Sequence, residues 1–217
     1  MTDRRARFTI PIAALAICLA SGFAAAQPSA PMPGGEPVPE ADSRSTAAPK
    51  SPEEEESLRQ AQLDGLFTRL AQPGNAAWES VQGEIWAMWS HSGSPAMDLL
   101  LARAAKAMDE QDLDLALRFL DDLVRLAPDF AEAWNKRATV YFLRRDYGRS
   151  IADIQRTLAL EPRHFGAISG LGIILERLGD KKGAMRAFRH GLEIHPNLPG
   201  ARDAVDRLSP EVDGRQL

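Results

Sequence analysis

The four histidines, His91, His164, His190 and His195, are the side chains here best suited to metal binding or proton transfer. His190 and His195 flank Glu193 in a run that superficially resembles a metal-binding helix. Their imidazoles are five residues apart, which puts them on different helix faces, whereas a zinc helix places its histidines four apart. His164 and His195 stand beside Pro162 and Pro196, which predicts loop positions. The histidines therefore predict no metal site, and the chain reads as no enzyme. Cys18, the single cysteine, lies inside an N-terminal apolar run and would leave with it, so neither disulfide nor thiol chemistry is expected. No nucleophile elbow, phosphate loop or dinucleotide fingerprint occurs, and no cofactor is implied. Gly170, Gly172 and Gly179 read as packing and turn residues. Trp86 and Trp89, at helical spacing beside Ile85, predict packing rather than a ligand cage.

The elements that would carry any site are set by a repeat. Pro128, Pro162 and Pro196 are 34 residues apart, and the apolar and small positions between them recur in register. In 131–164, Trp134, Ala138 and Tyr141 lie on one face of a first helix; Ser150, Ile154 and Thr157 lie on one face of a second, which Pro162 ends. In 165–198 the same places hold Ile168, Gly172 and Leu175, then Ala184, Phe188 and Gly191; in 97–130 they hold Leu100, Ala104 and Ala107, then Ala116, Leu120 and Leu123. Large residues alternate with small ones because antiparallel helices approach closely only where one side chain is short.

These units resemble tetratricopeptide repeats. Trp134, Ala138, Tyr141 and Pro162 match the family's pattern in one unit, and Leu171, Gly172, Ala184, Phe188 and Pro196 match it in the next. Arg103 and Arg137 stand where the pattern has Leu, Ser150 where it has Ala, and Ile168 where it has an aromatic residue. The resemblance covers 97–198 and implies an all-α fold, a right-handed α-α superhelix of stacked helix-turn-helix units. Such an array exposes an extended surface rather than a catalytic cleft, so binding is the expected trade.

Around the repeats the chain changes character. Residues 1–26 run from Arg4, Arg5 and Arg7 through an apolar stretch to Ala24-Ala25-Ala26, the layout of a signal peptide with cleavage before Gln27. An uncleaved membrane anchor is the alternative; with cleavage, no stable membrane insertion is expected. Residues 27–50 are a Pro- and Ala-rich linker too poor in apolar surface to fold. Residues 51–93 predict a helical hairpin, with Leu58, Leu66, Phe67 and Leu70 on one arm and Trp78, Val81, Ile85 and Trp89 on the other. It reads as a degenerate end unit, and residues 199–217 as a cap helix and tail. Sparse lysine beside abundant arginine and alanine, together with the leader, points to a periplasmic protein of a bacterium.

The net charge of −4 is unevenly spread, acidic in the first unit and basic in the second. That pattern reads as a solvated helical surface, and no basic-aromatic groove accompanies the arginines, so nucleic acid is not an expected partner. A sharper candidate site runs beside the core stripe on the first helix of each unit: Leu101, Ala105 and Met108, then Asn135, Thr139 and Phe142, then Ser169, Ile173 and Glu176. Lined up across the array, these form a mainly apolar concave strip suited to an apolar or amphipathic segment, its backbone held by Asn135 or Thr139. Leu101 and Met108 fit equally well as residues that pack against the N-terminal hairpin. Leu101 and Ala105 also occupy the places where some family members carry a carboxylate clamp, so that activity is not implied. The expected function is a non-catalytic protein- or peptide-binding scaffold of the cell envelope. The alternatives are an accessory subunit of an envelope enzyme and a histidine-based hydrolase.

Overall fold

A computed structural model describes residues 51–214; residues 1–50, where a signal peptide and a linker are expected, and residues 215–217 lie outside the described residues. Nine helices make up the described residues: α1 (Pro52–Leu70), α2 (Trp78–Trp89), α3 (Pro95–Asp109), α4 (Leu113–Leu126), α5 (Ala131–Leu143), α6 (Tyr147–Leu160), α7 (Phe165–Arg177), α8 (Lys181–Ile194) and α9 (Ala201–Val212). Helices α3–α4, α5–α6 and α7–α8 are antiparallel pairs, each packed on the next, and α9 docks on α8 where a further first helix would stand. Helix α3 also touches α5, and α5 touches α7, whereas α4, α6 and α8 make no comparable contact with one another. The array therefore bends toward α3, α5 and α7, which form its inner face, as in an α-α superhelix.

The turns inside the pairs repeat as faithfully as the helices. Gln111, Arg145 and Gly179, 34 residues apart, all adopt positive φ (61°, 61° and 86°). Each ends its helix in a Schellman-type turn, with the next amide, of Asp112, Asp146 or Asp180, donating to the carbonyl of Ala107, Tyr141 or Leu175 at 2.9 Å. The same aspartates then cap the following helix by accepting from the backbone N–H of Leu115, Arg149 and Gly183. The small residues do what their size implies. A Cβ on Gly172 would lie 2.8 Å from the Phe188 ring, and one on Gly191 would lie 2.6 Å from Leu198.

Three apolar cores result. One joins α3, α4 and α5 through Ala104, Leu120, Leu123, Phe130 and Val140. A smaller one joins α5, α6 and α7 through Ala138, Ile154, Ala167 and Ile174. The third gathers the hairpin residues Leu63, Phe67, Leu70, Val81, Ile85 and Trp89 with Phe165, Met185, Phe188 and the stripe of α9. The hairpin thus shares its core with the far end of the array rather than with the α3–α4 pair that follows it in sequence.

Trp134 departs from the expected core position. It is only half-buried, donating from Nε1 to the Pro128 carbonyl at 3.0 Å, with the Arg137 guanidinium 4.9 Å from its ring. Arg137 is the residue that replaces the family's Leu. It forms a two-pronged pair with the buried carboxylate of Asp153 at 2.8 and 2.9 Å and a third contact with Asp121 at 2.9 Å, tying α4, α5 and α6 together. Its charge stays at the rim, and Trp134 lies over it there.

Candidate functional site

The inner face divides into two parts. Near the N-terminal ends of α5 and α7 it is covered by the hairpin. Trp89 stacks on His164, with centroids 4.2 Å apart and planes 11° off parallel, and Trp86 meets His164 and Phe165 edge-on at 5.3 and 5.4 Å. Trp78 packs against His195, whose Nε2 is 2.8 Å from Gln82 Oε1. Across the same seam the Arg163 guanidinium sits 4.3 Å from the Phe67 ring and 2.7 Å from Asp64.

Beneath these rings lies a buried polar cluster. His164 caps α7 by accepting the Ala167 N–H at Nδ1, 3.1 Å away, so its proton sits on Nε2, which donates to Glu132 Oε2 at 3.1 Å. Asn135 Nδ2 donates to the same oxygen at 3.0 Å, and Lys136 Nζ lies 3.2 Å from Oε1. Burial works against the Glu132 charge, but Lys136, the His164 hydrogen bond and Asn135 outweigh it and hold its carboxyl below the usual carboxylate range. His195, buried with no charged partner, is pushed down to about 4. Both residues stand between helices, as the neighbouring prolines predict, His164 as the N-cap of α7 and His195 as the C-cap of α8, yet both imidazoles are wholly buried. A residue between helices can be interior when its side chain caps a helix, as His164 does, or meets an incoming element, as His195 meets Trp78 and Gln82. Among the described residues no three His, Cys, Asp or Glu side chains converge as a metal site would need, and no helix is long and apolar enough to cross a membrane.

The strip residues separate accordingly. Leu101 and Met108 are buried in the core of α3–α5, against α4 and α5 rather than against the hairpin, and do not line an open groove. Asn135 is also buried, committed to Glu132 under the hairpin, and offers no free amide to a ligand. Their first-helix places face inward as the spacing implied; what covers them was invisible in a local pattern. Thr139, Phe142, Ser169 and Ile173 lie farther along α5 and α7, partly or fully open to solvent. Thr139 Oγ1 donates to the Asn135 carbonyl at 3.0 Å. The Phe142 ring has the Arg177 guanidinium 4.6 Å away and Tyr147 at 6.0 Å, and Ile173 is 38 % exposed. Glu176 is paired with Arg207 of α9 at 2.9 Å. Glu132, Lys136 and Gly166 are inner-face residues that sequence reasoning missed; Glu132 stands three residues before Asn135 and Lys136 three before Thr139, a helical spacing from the strip that was a signal available to find the first two.

The profile of the tetratricopeptide repeat family matches residues 99–159 and 144–199. A TPR repeat-containing protein of Rhizobium etli is 39% identical over 157 residues, covering 71% of this chain and 76% of its own length. Among solved structures, the Sgt2 TPR domain of Aspergillus fumigatus superposes with a TM-score of 0.51 at 20% identity, covering 55% of this chain and 81% of that one. The first TPR domain of Spaghetti (RPAP3), bound to the HSP90 peptide SRMEEVD, gives 0.52 at 20% identity, covering 54% and 93%. At such identities the structural likeness shows the fold alone.

Proposed function

Because the chain belongs to the tetratricopeptide repeat family, we propose that it is a non-catalytic scaffold holding a protein or peptide segment against its inner face. The observation that carries this reading is the uncovered part of that face. Phe142 on α5 and Ile173 on α7 present apolar surface on neighbouring inner helices, with Thr139 and Ser169 between them as polar groups. A soluble array gains nothing by leaving such side chains to water, and an apolar strip with isolated polar groups suits an extended or helical segment. The RPAP3 domain, which holds a peptide, supplies the analogy for this fold. We place the scaffold in a bacterial envelope on the strength of residues 1–26, with their basic start, apolar run and alanine triplet.

The test is site-specific. A photo-crosslinking residue placed at Ile173 should capture a discrete partner in the native compartment, while the same residue at the exposed Gln155 of α6 should not. Capture should be lost in Phe142→Ala with helical content and melting temperature nearly unchanged, since buried aromatic anchors dominate interface energies. Equal capture from both positions, or capture indifferent to Phe142, rejects the inner-face reading. N-terminal sequencing tests the export reading: a mature start at Gln27 is expected, and an intact Met1 start overturns it.

A further inference from the structure

Three buried side-chain polar atoms among the described residues have no hydrogen-bond partner: Trp89 Nε1, Glu132 Oε1 and His195 Nδ1. All three lie on the seam between the α1–α2 hairpin and the repeats, and only Glu132 Oε1 has a charge beside it, the Lys136 ammonium. Buried polar groups in a finished interior are almost always paired, so this seam is the least complete contact among the described residues. It is nevertheless shaped to take a helix. A Cβ on Gly166 would lie 2.6 Å from Trp86 Cη2, so the glycine makes a notch for the indole, and Lys136 Nζ sits 5.7 Å from the same ring. Arg163 receives both an aromatic ring, from Phe67, and a carboxylate, from Asp64.

Resting on the inner-face reading above, we propose that the α1–α2 hairpin is a replaceable occupant of this face, which when uncovered takes an acidic amphipathic partner helix bearing two aromatic residues one turn apart. The hairpin already binds in the helix-in-groove manner, with Trp86 and Trp89 as its anchors. Residues 90–94 alone tether it to α3. That short tether gives it a high effective concentration, so a partner must compete with it rather than meet an empty groove. The unpaired atoms at the seam favour exchange, because when the hairpin leaves, the Trp89 N–H can find an acceptor and Glu132 Oε1 and His195 Nδ1 can find a donor, in water or in a partner.

The probe is a fluorescent synthetic peptide of residues 51–93, which carries the required aromatic pair and acidic first turn. Full-length Trp86→Ala/Trp89→Ala, whose own hairpin is weakened, should bind the peptide at least tenfold more tightly than the wild-type chain. Adding Gly166→Leu, which fills the notch, should abolish that binding. Equal binding to wild type and double variant, or binding indifferent to Gly166→Leu, overturns the proposal. If the double variant does not fold, native-state hydrogen exchange on the wild-type chain decides. The α1–α2 amides should exchange together and at least tenfold faster than the slowest amides of α5–α8; exchange only with global unfolding overturns the proposal. Loss of peptide binding with crosslinking at Ile173 intact would remove this inference alone and leave the inner-face scaffold standing.

Discussion

His195 shows how a single buried group makes stability depend on pH. Its folded value, about 4, lies below the ordinary 6.5, so the unfolded chain binds the extra proton first as pH falls. Its stabilising contribution is full above 6.5 and is lost progressively down to about 4. Glu132, held below its ordinary 4.5, removes further stability as pH falls past that value. The urea midpoint should therefore drop between pH 7 and pH 4.5 in the wild-type chain and drop less in His195→Gln; parallel curves would show that the imidazole is hydrated. Asp153 is the second residue with a large expected effect. Its carboxylate is buried against the Arg137 guanidinium, and Asp153→Ala leaves that charge half-paired at the α5–α6 contact, a loss of about 3–5 kcal/mol by urea denaturation. Trp134→Ala should cost less than the ~3–5 kcal/mol of a fully buried aromatic, because one side of the indole faces solvent.

The elements are held as much by their turns as by their stripes. Arg145 adopts the left-handed conformation that Gly179 adopts one repeat later. Arg145→Gly should stabilise by up to about 1 kcal/mol, because relief of the side-chain strain exceeds the added freedom of the unfolded chain. Gly179→Ala should destabilise by a similar amount, and thermal melts of the two variants should move in opposite directions. The helix contacts are equally specific. A methyl at Gly172 meets the Phe188 ring, which is buried and cannot turn aside, whereas one at Gly191 meets the end of a Leu198 side chain. Gly172→Ala should therefore be the more damaging of the two.

At the scale of the molecule, one residue closes the chain on itself. Phe165 is buried among Phe67, Trp89, Trp86 and His195, and so joins the first two helices to the last repeat. Repeat arrays are held by nearest-neighbour contacts, and this packing adds a contact between segments about a hundred residues apart in sequence. Phe165→Ala should cost about 3–5 kcal/mol. It should lower the transition seen by the hairpin's tryptophan fluorescence at least as much as the far-UV circular dichroism transition, because it removes the hairpin's anchor on the array. An unchanged fluorescence transition would show that Phe165 does not hold the hairpin.

The repeat itself was legible in the sequence. A period of 34, small residues at Ala138, Gly172, Ala104 and Ala184, and prolines after each second helix determine paired helices and their stacking, because these are local and nearest-neighbour relations that recur in register. The inner-face position of Asn135, Thr139 and Phe142 followed from the same periodicity. Its covering did not. Which part of the face is open depends on where the hairpin lies, and that is decided by contacts such as Asp64 with Arg163 and Gln82 with His195, between residues that share no period and no neighbourhood. Burial of His164 and Asn135 is a consequence of that packing, whereas the half-exposure of Trp134 follows from Arg137 at the rim and the enclosure of Leu101 and Met108 from the packing of α3 on α4 and α5. Periodicity tells which way a side chain points along its own helix; only the tertiary structure decides what meets it there.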